Sequence, residues 1–99
     1  MSKSIVELAS LFGALGQETR LEIIRLLAPL SHGKHPIGLA AGQIAAALAV
    51  APPTLSFHLK DLTLRRLIVQ KRKGREIQYF ANLPLILSAL GALVTELEV

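Results

Sequence analysis

Between Gln43 and Ile68 the chain reads QIAAALAVAPPTLSFHLKDLTLRRLI, and the tandem prolines in its middle forbid one continuous helix. Proline lacks the N–H of the helical ladder and disfavours helical geometry in the residue before it. A first helix carrying Ile44, Ala45 and Leu48 on one face is therefore expected to be stopped by Ala51-Pro52-Pro53. Proline suits the opening turn of a helix, so a second one is expected to start at or near Pro52. The small alanines at 46, 47 and 49 leave room for the two to cross closely. Two short helices about such a break form a helix-turn-helix signature.

In the second helix Leu55, Leu59, Leu62 and Leu67 are spaced to face inward, with Phe57 or Ile68 at the margin. Thr54, Ser56, His58, Lys60 and Asp61 fall on the other side, and Arg65 and Arg66 follow. Hydroxyls, imidazole and amines are donors for base edges and cations for phosphates, which is what a major groove requires. Any amphipathic surface helix is also polar outside, so the next segment matters. Gln70 to Phe80, QKRKGREIQYF, reads as a β-hairpin with Lys73-Gly74 at the turn, led in by Leu67–Val69 and out by Ile77, Tyr79 and Phe80. Its tip gathers Lys71, Arg72, Lys73 and Arg75 around one glycine. Their mutual repulsion is offset if an anion lies against them. A helix-turn-helix followed at once by a basic hairpin is a winged helix, with the second helix suited to the major groove and the wing to phosphates or the minor groove.

The runs ALGQETRLEIIRLL, QIAAAL, APPTLSFHLKDL and RKGREIQYF together resemble the ArsR family of small winged-helix transcriptional repressors. The resemblance covers roughly residues 10 to 82. Its most specific parts are ETRLEIIRLL and the T-x-S-x-H-L-K-x-L of the second helix. It implies a mainly α fold of about five helices with a small two-stranded hairpin, and a homodimer that binds an inverted-repeat operator in double-stranded DNA and is released by a signal. On that reading Thr54, Ser56, Phe57, His58, Lys60, Arg65, Lys71, Arg72, Lys73 and Arg75 contact DNA. In relatives the arginine-containing helix braces the reading domain, which points Arg20 to an internal pairing. Pro52-Pro53 and Phe57 stand where relatives carry polar or basic residues. They keep open an alternative, a winged-helix protein-interaction module that has lost DNA binding.

The distribution of charge favours DNA. The net charge is +4, and Lys60, Arg65, Arg66, Lys71, Arg72, Lys73 and Arg75 are seven of the eleven Lys and Arg residues, against only Asp61 and Glu76 in the same stretch. Such focusing raises encounter rate and affinity with a polyanion. No Gly-rich phosphate loop or nucleophile–base arrangement points to an enzyme. No apolar run is long enough to span a membrane and none reads as a signal peptide, so a cytoplasmic protein is expected.

A chain of 99 residues allows one domain, and 52% hydrophobic content is more than its modest core can bury. Residues 5–15 form a short amphipathic pattern with Ile5, Leu8, Leu11 or Phe12, and Leu15 on one side. Glu18 and Thr19 open a second helix with Leu21, Ile24 and Leu27 inward and Ile23 and Leu26 as further inward candidates, which Pro29 ends. From Asn82, a suitable N-cap, Leu83, Leu85, Ile86, Leu87, Leu90, Leu93, Val94 and Leu97 cover most of a terminal helix. A helix apolar on more than one face is usually buried on more than one, so Leu8, Leu11, Phe12, Ile86, Leu90, Leu93, Val94 and Leu97 are assigned to a dimer contact between terminal helices.

Sensing is the half of the family's function that does not transfer. Relatives that respond to soft metals use a C-x-C pair whose positions fall here on Ala40 and Gly42, and the chain has no cysteine. Relatives that bind zinc use Asp and His on the last helix, which here has neither. His32 and His35 share the loop Ser31–Ala41 with Lys34 between them and no carboxylate near, a poor chelate. No metal, cofactor or effector is therefore assigned. Zinc, cadmium and arsenite, titrated against the protein on DNA, are expected to leave affinity unchanged; a stoichiometric sub-micromolar effect of any of them would show a site at His32 and His35.

Overall fold

The computed structural model describes residues 4–98. Helix α1 (Ile5–Leu15) is capped by Ser4, whose hydroxyl accepts from the Glu7 N–H at 3.1 Å. Helix α2 (Glu18–Leu27) is capped by Gln17, whose side-chain carbonyl accepts from the Arg20 N–H at 2.9 Å. A 3-10 turn, Ala28–Leu30, follows and contains Pro29. Strand β1 (Leu39–Ala40) leads into α3 (Ala41–Leu48), then α4 (Pro52–Leu64), β2 (Ile68–Lys73), β3 (Glu76–Ala81) and α5 (Leu83–Leu97).

The first helix of the pair ends before the prolines act. Ala49 adopts a left-handed conformation with φ 53°, its N–H bonds to Ala46 O, and the Val50 N–H reaches back to Ala45 O at 3.1 Å. This is a Schellman ending in which alanine takes the place usually filled by glycine. Helix α4 closes the same way: Arg66 has φ 62°, and the Leu67 N–H bonds to Leu62 O at 3.0 Å. Leu67 is therefore buried as the residue just past the helix, not as part of its stripe. It and Val50 are the apolar residues that such endings fold back onto the helix.

Ile23, Leu27, Ile44, Leu55, Leu59, Leu62, Leu67 and Ile68 are all at most 2% exposed and form one core where α2, α3 and α4 meet the root of the sheet. Leu21, expected inside, is 55% exposed. The inward stripe of α2 runs through Ile23, Ile24 and Leu27, so Leu21 falls on the far side. The wing hairpin has the expected two strands, β2 and β3, in antiparallel register from Ile68 opposite Ala81 to Lys73 opposite Glu76. A third short strand joins it: β1, within the stretch expected to be loop, pairs with β3 at Tyr79 and Gln78, giving the order β1-β3-β2. Gly38 permits this, because a Cβ there would meet the Phe80 ring at 2.6 Å.

Helix α5 starts at Asn82, whose side chain accepts from the Leu85 N–H at 3.4 Å and donates to Arg66 O at 2.8 Å. Of this helix only Ala89 is fully buried, and Leu87, Leu90, Val94 and Leu97 are exposed, as are Ile5 and Val6 of α1. Leu8, in contrast, is already 2% exposed within one chain and has almost no surface left for a partner. No helix among the described residues is long and apolar enough to cross a membrane.

The left-handed ending predicts an inverted response to glycine. Ala49→Gly is expected to stabilise the protein by about 0.5–1 kcal/mol by relieving the Cβ strain of positive φ, whereas Ala46→Gly, exposed within α3, should destabilise by a similar amount. Chemical denaturation of the two variants measures both signs.

Candidate nucleic-acid interface

The three leucines of α4 that enter the core decide what the helix shows outward. At about 100° per residue, the direction opposite Leu55, Leu59 and Leu62 falls on Phe57 and Leu64, flanked by Lys60. Phe57 is 67% and Leu64 74% exposed. The centre of the outer face is thus an apolar ridge, with Thr54 on one flank and Ser56 on the other, both exposed. The expectation of a polar outer face with Phe57 at its margin is corrected on this point. Leu64 was missed as a surface residue, although the spacing from the buried leucines was sufficient to place it.

His58 and Asp61 are turned aside from that face and are half-buried. Arg20 of α2 reaches across to both: its Nε donates to His58 Nδ1 at 3.1 Å, and its Nη1 pairs with Asp61 Oδ2. Arg20 is therefore internally paired, as expected. Arg65 also binds Asp61 Oδ2, at 3.0 Å, and its Nη1 donates to Ser10 Oγ of α1 at 2.7 Å. Two residues expected on the DNA side, His58 and Arg65, thus spend polar atoms on holding α4 against α2 and α1. Burial, and then the Arg20 charge, hold the His58 imidazole below its usual value, with Asp61 pulling the other way. The hydrogen bond from Arg65, helped by the charge and hydrogen bond of Arg20, holds the Asp61 carboxyl below the ordinary range against a smaller opposing effect of burial.

The wing projects beside this helix. Gly74, with φ 64°, opens the two-residue connection Gly74-Arg75, one residue later than the Lys73-Gly74 turn expected. Lys71, Arg72, Lys73 and Arg75 are all exposed, and the Lys71 ammonium lies 5.2 Å from the centroid of the Phe80 ring. Thr54, Ser56, Phe57, Lys60 and the four wing cations therefore lie on the α4 and wing surfaces, free of the ion pairs found among the described residues. Ala40 and Gly42 sit at the start of α3 and offer no side-chain donor, so the residues there do not fit a thiolate-bound metal.

Residues 15–70 match the model of a helix-turn-helix domain family. Among solved structures the chain is similar to an ArsR-like transcriptional regulator from Rhodococcus sp. RHA1, with 32% identity over 94% of this chain and 82% of that one and a TM-score of 0.73. It is similar to the AntR antimony-specific transcriptional repressor, with 33% identity, 93% and 80% coverage and a TM-score of 0.66. A third likeness is to the homodimeric winged helix-turn-helix DNA-binding domain of a possible ArsR-family regulator from Mycobacterium bovis. There the identity is 26%, coverage 93% and 81%, and the TM-score 0.67. No curated protein matches the chain significantly.

The Arg20 bridge makes stability pH-dependent. A histidine whose folded pKa is depressed contributes stability that is present above its unfolded value of about 6.5 and is lost as pH falls through the folded pKa. The wild-type chain is therefore expected to lose more stability below pH 6.5 than His58→Gln does. Thermal melts of both at stepped pH measure the difference, and parallel curves would show that His58 is not buried in its neutral form.

Proposed function

Because the chain belongs to the ArsR-like family of winged helix-turn-helix transcriptional regulators, and is thus a DNA-binding regulator and not of an enzyme class, we propose that it works as a dimeric repressor on an inverted-repeat operator. In this reading α4 enters the major groove and the wing follows the phosphate backbone. One observation carries it: four exposed cations, Lys71, Arg72, Lys73 and Arg75, stand beside an exposed α4 whose acid, Asp61, is neutralised by two arginines. The net field of that surface is positive, which is what a phosphate backbone selects. The whole chain then acts as a single reading domain in the cytoplasm.

The dimer is supported by the apolar surface that the fold leaves uncovered. Leu90, Val94 and Leu97 on α5 are exposed, with Leu93, Ile86, Leu11 and Phe12 half-buried around the same two terminal helices. Monomeric proteins rarely expose contiguous apolar surface of this kind. Leu8 belongs to the fold of each protomer and not to the contact. A two-fold dimer presents two α4 helices to half-sites about one helical turn apart.

Leu90→Glu is expected to convert a dimer into a monomer by burying an unpaired charge in the contact, read by light scattering. A compact 10.7 kDa wild-type monomer at micromolar concentration would contradict the dimer. Replacing Arg72, Lys73 or Arg75 by Ala should weaken binding to all sequences about equally. It should also lower the salt slope by about one for each phosphate no longer neutralised, doubled by symmetry. Unchanged affinity and slope in all three would favour a protein-binding role for the module.

A further inference from the structure

The apolar centre of the outer face of α4 is at odds with a helix that reads DNA by hydrogen bonds alone. Phe57 is 67% exposed and occupies the middle of the surface that the buried leucines turn outward. Its ring is not loose. The His58 ring meets it edge-on with centroids 5.8 Å apart and planes at 73°, and the Arg20 guanidinium carbon lies 5.9 Å from its centroid. Arg20 in turn is held by His58 and Asp61, so the same bridge that fixes the helix fixes the ring. Beside the ring is a shallow notch of about 210 Å³ bounded by Phe57, Lys60, Asp61 and Leu64.

The apolar group that projects into a major groove is the C5-methyl of thymine. Guanine and adenine present N7 with O6 or N6, and cytosine presents N4, each of which loses water against a phenyl ring without a replacement hydrogen bond. The cations around the ridge, Lys60 and the wing, select a phosphate polymer as occupant over an uncharged protein surface. Resting on the DNA-binding reading above, we propose that Phe57 is a specificity-determining residue that reads thymine, seating a C5-methyl against its ring and the notch that Leu64 closes. Thr54 and Ser56 on the flanks then contact neighbouring base edges or sugar-phosphate, and the methyl contact sets one position of each half-site.

The test modifies the DNA, so no variant needs to fold for it to be read. Sequences bound by the full-length protein are first selected from random duplexes, and a thymine is expected at one fixed position in each half-site. Replacing that thymine with deoxyuridine removes only the methyl. The wild-type protein should then lose about fourfold in affinity per half-site, the equivalent of one apolar carbon returned to water. Phe57→Ala should bind thymine and deoxyuridine equally at that position while keeping the salt dependence of the wild type. If the wild type binds a selected site but ignores the methyl at every thymine, or selects sites without thymine, the assignment to Phe57 is overturned and the DNA-binding reading stands. If no duplex is bound, both are overturned, and the ridge is a surface for another protein.

Discussion

Burial of Leu55, Leu59 and Leu62 on one side of a thirteen-residue helix is the constraint on which the rest depends. Full burial of one leucine is worth about 1.5–3 kcal/mol, so rotating α4 to present another face would forfeit most of the domain's stability. Helices α2 and α3 supply the opposing surface through Ile23, Leu27 and Ile44, and the sheet closes it with Ile68. Once that rotation is fixed, the outward direction is fixed too. The display of Phe57, Lys60 and Leu64 toward solvent is a consequence of core packing.

Polar contacts then refine what packing has set. Arg20 joins α2 to two residues of α4, and Arg65 joins α4 to α1 through Asp61 and Ser10. Solvent-exposed ion pairs contribute little on their own, but here a partly buried carboxylate shared by two arginines, one of which also donates to a half-buried imidazole, forms a network that resists sliding of the helix along its neighbours. The network also offsets the acidic charge of α4, Asp61, in the positive field of α4 and the wing. Structure and electrostatics are served by the same side chains, which explains why His58 and Arg65 are only partly free to meet DNA.

The helix pair and the wing were legible in the sequence because their signals are local. Tandem proline, leucine spacing and a glycine among cations announce a helix from Pro52 and a hairpin over Gln70–Phe80; the structure ends the helix at Leu64, short of Leu67, and extends the hairpin to Ile68–Ala81. What was not legible depends on partners far along the chain. His58 meets Arg20 across 38 positions, and no local pattern announces it. The strand Leu39–Ala40 is too short for a period-two signal and exists because β3 offers an edge beside Gly38. The left-handed endings at Ala49 and Arg66 were hidden because neither residue is glycine. The apolar ridge was legible in principle: Leu64 lies seven residues after Phe57, two turns along the same face, but the polar residues beside it mask the pattern.

If one surface, α4 together with the wing, meets DNA while α1 and α5 do not, the protein should report it residue by residue. Backbone amide shifts of the labelled protein, recorded as a selected duplex is added, test this most directly. The largest changes are expected on residues 52–64 and 70–78, with residues 86–97 of α5 almost unmoved. Changes concentrated on α5 or on the loop 31–38, with α4 and the wing silent, would contradict that division of the surface.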